Sequence, residues 1–303
     1  TRDWSSDVCS SDLRPVGTLF IVSIKLRLVR TAEKVAPALR RIGLGGVIDR
    51  AATSLSGQLG TTSIEFEGFT IQTASIGHVY YMRDLIESDH DRFFRELMAK
   101  AIPRGGTVLE GGAHLGVMTL FAARAAGPDG RVVTFEPNPE TLPTLRGNID
   151  ANDLGERVEI VPLGLSAERA THTFFVSGGG ETSSLHDPGT ASHSVQITTV
   201  PGDEWFDEGA TIDVVKLDIE GHEVDAVRGL RRTLTNAGDE LTVFAECNPT
   251  MLAKARRTPE DLVSELEACG LVVRWIDDAS ERVRELADGL PEDGYVNLIC
   301  TRR

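Results

Sequence analysis

The sequence is poor in cysteine and in basic residues, and it has no apolar run of membrane-spanning length. Its four cysteines form neither a C-x-x-C motif nor a paired spacing, so we expect neither a disulfide framework nor a structural zinc site. The 46 acidic residues outnumber the 31 basic ones, and the net charge of −15 argues against a general nucleic-acid binder, which needs a basic face. The cysteine pattern favours a reducing compartment, and we expect a cytoplasmic protein.

Two segments at the amino-terminal end stand apart from the rest of the chain. Residues 1–13 are rich in Ser and Asp, lack any helical or strand period and resemble a translated sequencing adapter, so we interpret them as a non-native leader. Residues 14–60 carry eight basic residues against two acidic ones. We predict basic helices there, which pack on the protein or make weak contact with an anionic membrane surface. The apolar run at residues 19–24 is much shorter than the about 20 residues that a membrane span needs.

The rest of the sequence divides near residue 103. Apolar alternation predicts a β-hairpin over 63–73, an apolar face predicts a helix over 91–101, and together with the basic segment they form a predicted extension over 14–102. From 103 to 303, short apolar strands alternate with amphipathic helices, which is typical of a doubly wound α/β domain. An excursion over 171–206 separates the third strand from the fourth. The predicted strands cover residues 107–110, 131–136, 158–163, 212–217, 241–246, 271–276 and 295–301.

The first of these strands ends in a glycine-rich turn, Glu110-Gly111-Gly112-Ala113-His114-Leu115-Gly116, and the second ends at Glu136. Glycines at such a turn let the backbone approach a ligand, and a carboxylate at the next strand end accepts hydrogen bonds from ribose hydroxyls. Ala113 breaks the G-x-G-x-x-G pattern of dinucleotide sites. The pattern Glu110-x-Gly112-x-x-x-Gly116 fits S-adenosylmethionine, because an acid suits a ligand with ammonium and sulfonium groups and repels a pyrophosphate.

Three motifs, at residues 108–116, 134–139 and 215–223, resemble the FkbM family of S-adenosylmethionine-dependent methyltransferases. The resemblance implies the α/β fold of class I methyltransferases, a Rossmann-like, doubly wound seven-stranded sheet with an antiparallel last strand, and usually O-methylation. The family commonly has Asp at position 110 and Asn at position 114. The residues that we expect to bind S-adenosylmethionine are Glu110, Gly111, Gly112, Ala113, His114, Gly116, Glu136, Pro137 and Asn138.

Polar residues after the fourth predicted strand face the same crevice as this turn. Methyl transfer needs an acceptor oxygen held in line with the methyl group, and an alcohol must also lose its proton. Asp218 is our first candidate for the catalytic base because it stands at the strand end, and His222 is the second. Lys216, within the strand, either pairs with an acid or contacts the substrate.

Other polar residues are candidates for the acceptor site. Glu246 ends the fifth strand, and a serine pair before the fourth strand matches one often seen in the FkbM family. Glu246, Asn248 and Asp218 also suggest the Mg²⁺ ligands of some O-methyltransferases, but we favour polar groups that line the pocket and predict no metal. The residues that we assign to the acceptor are Ser183, Ser184, Glu220 and Glu246.

The leading hypothesis is therefore an S-adenosylmethionine-dependent O-methyltransferase. Its acceptor is a hydroxyl on a sugar, glycan or secondary metabolite, and nucleic acid is not expected as a partner. An NAD-dependent oxidoreductase is one alternative, although the middle glycine and a Tyr-x-x-x-Lys pair are missing. The other is a methyltransferase-like domain that binds without turnover, prompted by Glu110 and His114.

Overall fold

The computed structural model describes residues 62–88, 91–177, 183–187, 191–290 and 294–302. It begins with the predicted hairpin and contains the predicted helix over 91–101. The predicted leader, the basic segment of residues 14–60 and its membrane contact lie outside the described residues. The elements before the sheet are β1 (Thr62–Phe66), β2 (Phe69–Thr73), α1 (Ile76–Glu87) and α2 (Arg92–Ala101).

From residue 107 onward, strands and helices alternate as predicted. The first group comprises β3 (Thr107–Gly111), α3 (Val117–Ala126), β4 (Arg131–Phe135), α4 (Leu142–Ala151) and β5 (Val158–Val161). Next come β6 (Gly164–Leu165), β7 (Ala170–Ser177) and β8 (Ala191–Val200). The last group comprises β9 (Val214–Leu217), α5 (Glu223–Gly229), α6 (Arg231–Asn236), β10 (Thr242–Cys247), α7 (Pro249–Lys254), α8 (Pro259–Ala268), β11 (Val272–Asp277), β12 (Arg282–Glu285) and β13 (Val296–Thr301).

Within the described residues, the central sheet has eight strands in the order β12-β11-β13-β10-β9-β3-β4-β5. The strands from β10 to β5 run parallel, and β13 lies antiparallel between β10 and β11. All seven predicted strands are present in the class I methyltransferase arrangement. The eighth strand, β12, extends the edge. A separate small sheet joins β7 and β8, which form most of the predicted excursion, to the short strand β6, which precedes it.

Apolar side chains cover both faces of the central sheet, as parallel sheets require. Successive strand residues point to opposite faces. Along β3, Val108 packs with the hairpin, α3 and α4, whereas Leu109 packs with α5, α6 and α8. Val132 and Val133 on β4 alternate in the same way. This three-layer packing holds the carboxyl ends of the parallel strands at one edge.

The hairpin is tied to the sheet layer by aromatic and polar contacts. Phe69 packs edge-on against Phe121 of α3, with ring centroids 5.2 Å apart. The Asn148 side chain accepts a hydrogen bond from the Gln72 backbone at 2.6 Å and donates to the Leu115 carbonyl at 2.8 Å. Residues 62–101 thus share a core with the sheet, and the domain division near residue 103 stays a prediction. None of the described helices is long and apolar enough to cross a membrane.

Candidate active site

A cavity of about 480 Å³ opens at the carboxyl ends of the parallel strands. This is the crevice at which open α/β sheets bind ligands. The predicted site residues that line it are Gly112, Ala113, His114, Glu136, Pro137, Asn138, Ser183, Asp218, Glu220 and Glu246. The predicted site residues outside its lining are Glu110, Gly111, Gly116, Ser184 and His222.

The glycine-rich turn is shaped by close contacts within the protein. Gly112 has φ +83°, and a Cβ atom there would lie 1.8 Å from the Asp218 carbonyl oxygen. Gly116, at φ +86°, precedes α3, and a Cβ there would lie 2.6 Å from Leu145 Cδ1. Our expectation that Gly112 leaves room for a ligand is therefore incomplete, because the turn also needs this glycine to pack against the end of β9.

Glu110 lies beneath the cavity wall and organises its neighbours. Its carboxylate accepts hydrogen bonds from the hydroxyls of Thr119 at 2.5 Å and Thr134 at 2.8 Å. The Lys216 ammonium lies 3.6 Å from its other oxygen, which has no hydrogen-bond partner. Glu110 is 2% exposed and does not line the cavity, but it contacts Lys216, which does.

Glu136 stands where β4 ends, and its carboxylate is held by the backbone. It accepts hydrogen bonds from the His114 N–H at 2.8 Å and the Asn138 N–H at 2.9 Å. Burial raises the pKa of Glu136 to about 7, although these two hydrogen bonds act in the opposite direction. A carboxylate has about four acceptor positions, so two remain for a ribose diol.

His114 occupies a left-handed backbone position, with φ +50°. Asn, which the family commonly has here, and His are both among the residues that tolerate this conformation. The His114 ring packs edge-on against Tyr81 at 4.9 Å between centroids, and its buried Nε2 has no hydrogen-bond partner. Burial, with smaller contributions from His78 and Lys216, lowers the pKa of His114 to about 3, so the ring is neutral.

Lys216 and Asp218 form the polar centre of the cavity. The Lys216 ammonium donates to the Gly112 carbonyl at 3.0 Å and lies 3.2 Å from Asp218 Oδ2. Burial alone would lower the pKa of Lys216, but the carboxylates of Asp218 and Glu110 raise it. The Lys216 side chain is 5% exposed and the Asp218 side chain 45%, so Lys216 supports a carboxylate that faces the cavity.

Glu246, near the end of β10, is a buried carboxyl group in this wall. It is 7% exposed, and its Oε2 has no hydrogen-bond partner. Burial, followed by the charges of Asp218 and Glu220, raises its pKa well above the usual value. Among the described residues, no group of three or more His, Cys, Asp or Glu side chains is arranged to hold a metal ion.

The two serines and the second candidate base have separate positions. Ser183 lines the cavity, whereas the buried Ser184 donates its hydroxyl to the Glu220 carbonyl at 2.8 Å and so links the small sheet to the loop after β9. His222 lies outside the cavity lining, where its Nε2 is 3.0 Å from the Ser166 hydroxyl and its ring lies 5.8 Å from that of His186. The structure thus does not bring His222 together with Asp218.

Several residues that line the cavity were not predicted from the sequence. The predicted extension supplies one wall, through Tyr81, Asp84, Leu85, Asp91 and Phe94. The last strand contributes Asn297, which pairs in register with Glu246. A polar Asn inside an otherwise apolar strand could have indicated that this residue has a role in the site. The residues of α1 and α2 that line the cavity form no recognisable sequence motif, because only packing brings these helices to the sheet.

The residues present fit S-adenosylmethionine at several points. Glu136 keeps acceptor positions for ribose hydroxyls, and the unpartnered His114 Nε2 offers a further polar contact in the wall. The carboxylates of Asp218 and Glu246 suit the positive charge of a sulfonium.

Comparisons with known proteins agree with this fit. Residues 110–273 match the Methyltransferase FkbM domain family. The hexuronic acid methyltransferase AglP of Haloferax volcanii is 29% identical over 175 residues, which cover 55% of this chain and 65% of that protein. A catechol O-methyltransferase of Mycobacterium tuberculosis is 43% identical over 65 residues, 22% of this chain and 29% of that protein. The chain thus spans less than two thirds of either relative.

Among solved structures, a methyltransferase FkbM from Methylobacillus flagellatus is similar with a TM-score of 0.42 and 13% identity, over 88% of this chain and 60% of that one. The family match covers more than half of the chain and agrees with the three motifs of the sequence. The chain belongs to the FkbM family of methyltransferases, and its cofactor is S-adenosylmethionine.

Proposed function

We propose that the chain transfers a methyl group from S-adenosylmethionine to a hydroxyl of a sugar, a glycan or a secondary metabolite. The observation that carries this proposal is Asp218, a carboxylate 45% exposed in the cavity and held by Lys216 at 3.2 Å. One relative is named a catechol O-methyltransferase and another a hexuronic acid methyltransferase, which supports an oxygen acceptor.

The proposed reaction needs one proton acceptor. Bound S-adenosylmethionine supplies an electrophilic methyl group on a sulfonium. Asp218 accepts the hydroxyl proton as the oxygen–carbon bond forms and the sulfur–carbon bond breaks, which leaves a methyl ether and S-adenosylhomocysteine. The buried Lys216 ammonium fixes Asp218 and, through the Gly112 carbonyl, couples the base to the cofactor turn. General base catalysis requires a base that is held within hydrogen-bond reach of the proton that it removes.

In the same proposal, Glu136 binds the ribose of the cofactor. Ala113, His114, Pro137 and Asn138 form the wall around it. Gly111 and Gly116 shape the turn without lining the cavity, and Glu110 acts through Lys216.

Cofactor affinity should depend on pH through Glu136. Ribose hydroxyls bind the carboxylate form, so affinity for S-adenosylhomocysteine is full well above pH 7 and falls as the pH drops through about 7, where Glu136 is protonated. The fall approaches about tenfold per pH unit at lower pH. Calorimetry between pH 5.5 and 8.5 measures it.

Two variants isolate the source of that dependence. Glu136→Ala should weaken binding at pH 8 by about 1–3 kcal/mol, because the ribose hydroxyls lose their partner. Glu136→Gln should bind with little dependence on pH, whereas Glu267→Gln, an exposed carboxylate on α8, should behave as the wild type. An unchanged pH profile in Glu136→Gln would remove Glu136 from the cofactor site.

His222→Gln should retain turnover within about threefold, because His222 hydrogen-bonds Ser166 away from the cavity lining. Initial rates at saturating acceptor measure this, with the thermal midpoint recorded to account for any lost stability. A loss of 100-fold or more in a folded variant would assign the proton to His222 and contradict our choice of Asp218.

The proposed function is tested by screening acceptors with methyl-labelled S-adenosylmethionine. Sugars, glycans and phenolic or aliphatic alcohols are incubated with the full chain, and products are identified by mass spectrometry and NMR. A methyl ether formed by the wild type and lost in Asp218→Asn supports O-methylation. Transfer to nitrogen or carbon only would contradict it, and cofactor binding without any transfer would support the non-catalytic alternative.

A further inference from the structure

The cavity wall carries far more negative than positive charge. Among the described lining residues, Lys216 is the one with a permanent positive charge, and His114 is neutral. The acidic side chains that line the same cavity are Asp84, Asp91, Glu136, Asp218, Glu220 and Glu246, of which Glu136 and Glu246 have raised pKa values. An acceptor that enters this cavity therefore meets a negative potential.

The charge of Lys216 does not offset this potential, because two carboxylates already face it. Asp218 lies 3.2 Å and Glu110 3.6 Å from the ammonium. Glu136 is directed to the backbone N–H groups of His114 and Asn138, where we place the ribose. The other acidic side chains of the lining lie on the side of the wall formed by α1, α2 and the ends of β9 and β10.

Glu246 gives this wall a defined attachment point for a cation. Glu246 lines the cavity and is only 7% exposed, yet its Oε2 has no hydrogen-bond partner. A buried carboxyl oxygen without a partner is costly unless a ligand or ion supplies one. Asp218, Glu220 and Glu223 act on its carboxyl as negative charges, and Lys216 acts as a positive one.

Aromatic rings line the same cavity as these acidic side chains. Tyr81 of α1, Phe94 of α2 and Tyr295 before β13 line the same cavity. A ring face attracts an ammonium group, and the combination of aromatic rings with carboxylates is suited to a protonated amine. A carboxylate-bearing acceptor finds no unpaired cation in the described wall.

We infer that the acceptor carries a protonated amine beside its hydroxyl groups, as an amino sugar does, and that Glu246 receives the amine. This inference rests on the proposed function, since it names the acceptor class of the same site. It also separates the chain from a hexuronic acid methyltransferase, whose named substrate class is anionic.

The position of Glu246 predicts that binding of an amine is coupled to the release of a proton. Burial and its negative neighbours raise the pKa of the Glu246 carboxyl well above its usual value, and a bound ammonium lowers that pKa again because it favours the carboxylate. Over the pH range between these two pKa values, binding of an amine should release a proton, and affinity should rise with pH. Calorimetry in two buffers of different ionisation enthalpy measures the number of protons released.

The experiment compares three matched probes: glucosamine, glucose and glucuronic acid. Each is titrated into the full chain saturated with S-adenosylhomocysteine, which lacks the sulfonium charge. We expect glucosamine to bind at least tenfold more tightly than glucose, with proton release, and glucuronic acid to bind more weakly than glucose. Glu246→Gln should bring the ratio of glucosamine to glucose close to one, while Glu267→Gln should leave it unchanged.

The outcomes separate the inference from the proposed function. Equal binding of glucosamine and glucose would overturn the inference and assign the carboxylates to the cofactor's sulfonium. Preferred binding of glucuronic acid, or no binding of glucosamine, would overturn it as well. Methyl transfer with labelled S-adenosylmethionine is measured separately: an amine preference in binding without any O-methyl product contradicts the proposed function, whereas O-methylation confined to neutral or anionic acceptors contradicts only the inference.

Discussion

Asp218→Asn should keep the cofactor affinity of the wild type and reduce turnover by roughly 10²–10⁴-fold. The substitution preserves size and one hydrogen-bond acceptor for the Lys216 ammonium, which lies 3.2 Å from Oδ2, but an amide cannot take a hydroxyl proton. Lys216 also retains Glu110 at 3.6 Å, so the buried ammonium is not left without a counter-charge. Single-turnover rates with labelled cofactor measure the chemical step, and calorimetry measures affinity for S-adenosylhomocysteine.

Controls distinguish the role of the base from loss of charge. Asp129→Asn removes an exposed carboxylate between α3 and β4 and should leave both quantities unchanged. Near-normal turnover in Asp218→Asn would move the proton to another acceptor. Inhibition of the wild type by a chelator, with recovery of the variant at high Mg²⁺, would replace the base by a metal-assisted hydroxyl.

The strands of the central sheet were predictable because short runs of apolar residues in the sequence indicate buried strands. Val132 and Val133 are both fully buried, on opposite faces, and such runs bounded by glycine or charge predict parallel strands. The edge strand β12 reads Arg-Val-Arg-Glu, and only one of its four residues is apolar. Pairing with the neighbouring strand β11 determines that this segment is a strand, so its own sequence does not predict one.

The small sheet shows a second limit. Strand β7 reads ATHTFFVS and β8 reads ASHSVQITTV, so apolar and polar residues mix along both strands. The apolar cluster that they form has three buried members, Phe174, Val176 and Ile197. The predicted excursion is therefore a ribbon whose register comes from pairing across the chain. Its contact with the loop after β9, through Ser184 and Glu220, joins residues 36 positions apart.

The cofactor side of the cavity was predictable to a greater extent than the acceptor side. Glu136 and the glycine turn are adjacent in the fold because neighbouring parallel strands end at one edge. Tyr81, Phe94 and Tyr295 come from elements that are distant in sequence, so no local sequence pattern predicts that they line the same cavity. The position of His222 beside Ser166 depends likewise on a contact across 56 residues.

Gly112→Ala should destabilise the fold and abolish detectable cofactor binding together. A Cβ atom at this position would lie 1.8 Å from the Asp218 carbonyl oxygen and 3.2 Å from Ile219 Cγ2, and the backbone φ of +83° is one that L residues rarely adopt. Because the obstructing atom belongs to the backbone at the end of β9, relief requires the turn to move away from Asp218. We expect a loss of about 3 kcal/mol or more in the free energy of unfolding.

Gly209→Ala is the matched control, because Gly209 has φ +92° but no atom within 4 Å of an added Cβ. It carries the conformational cost of a left-handed position, about 1 kcal/mol, without the clash, and should leave cofactor binding intact. Denaturant unfolding gives the two free energies, and calorimetry gives the affinities. If Gly112→Ala is no less stable than Gly209→Ala but binds no cofactor, the glycine serves ligand approach alone, and the packing of the turn against Asp218 is not what requires it. If it is both stable and able to bind, neither reason holds.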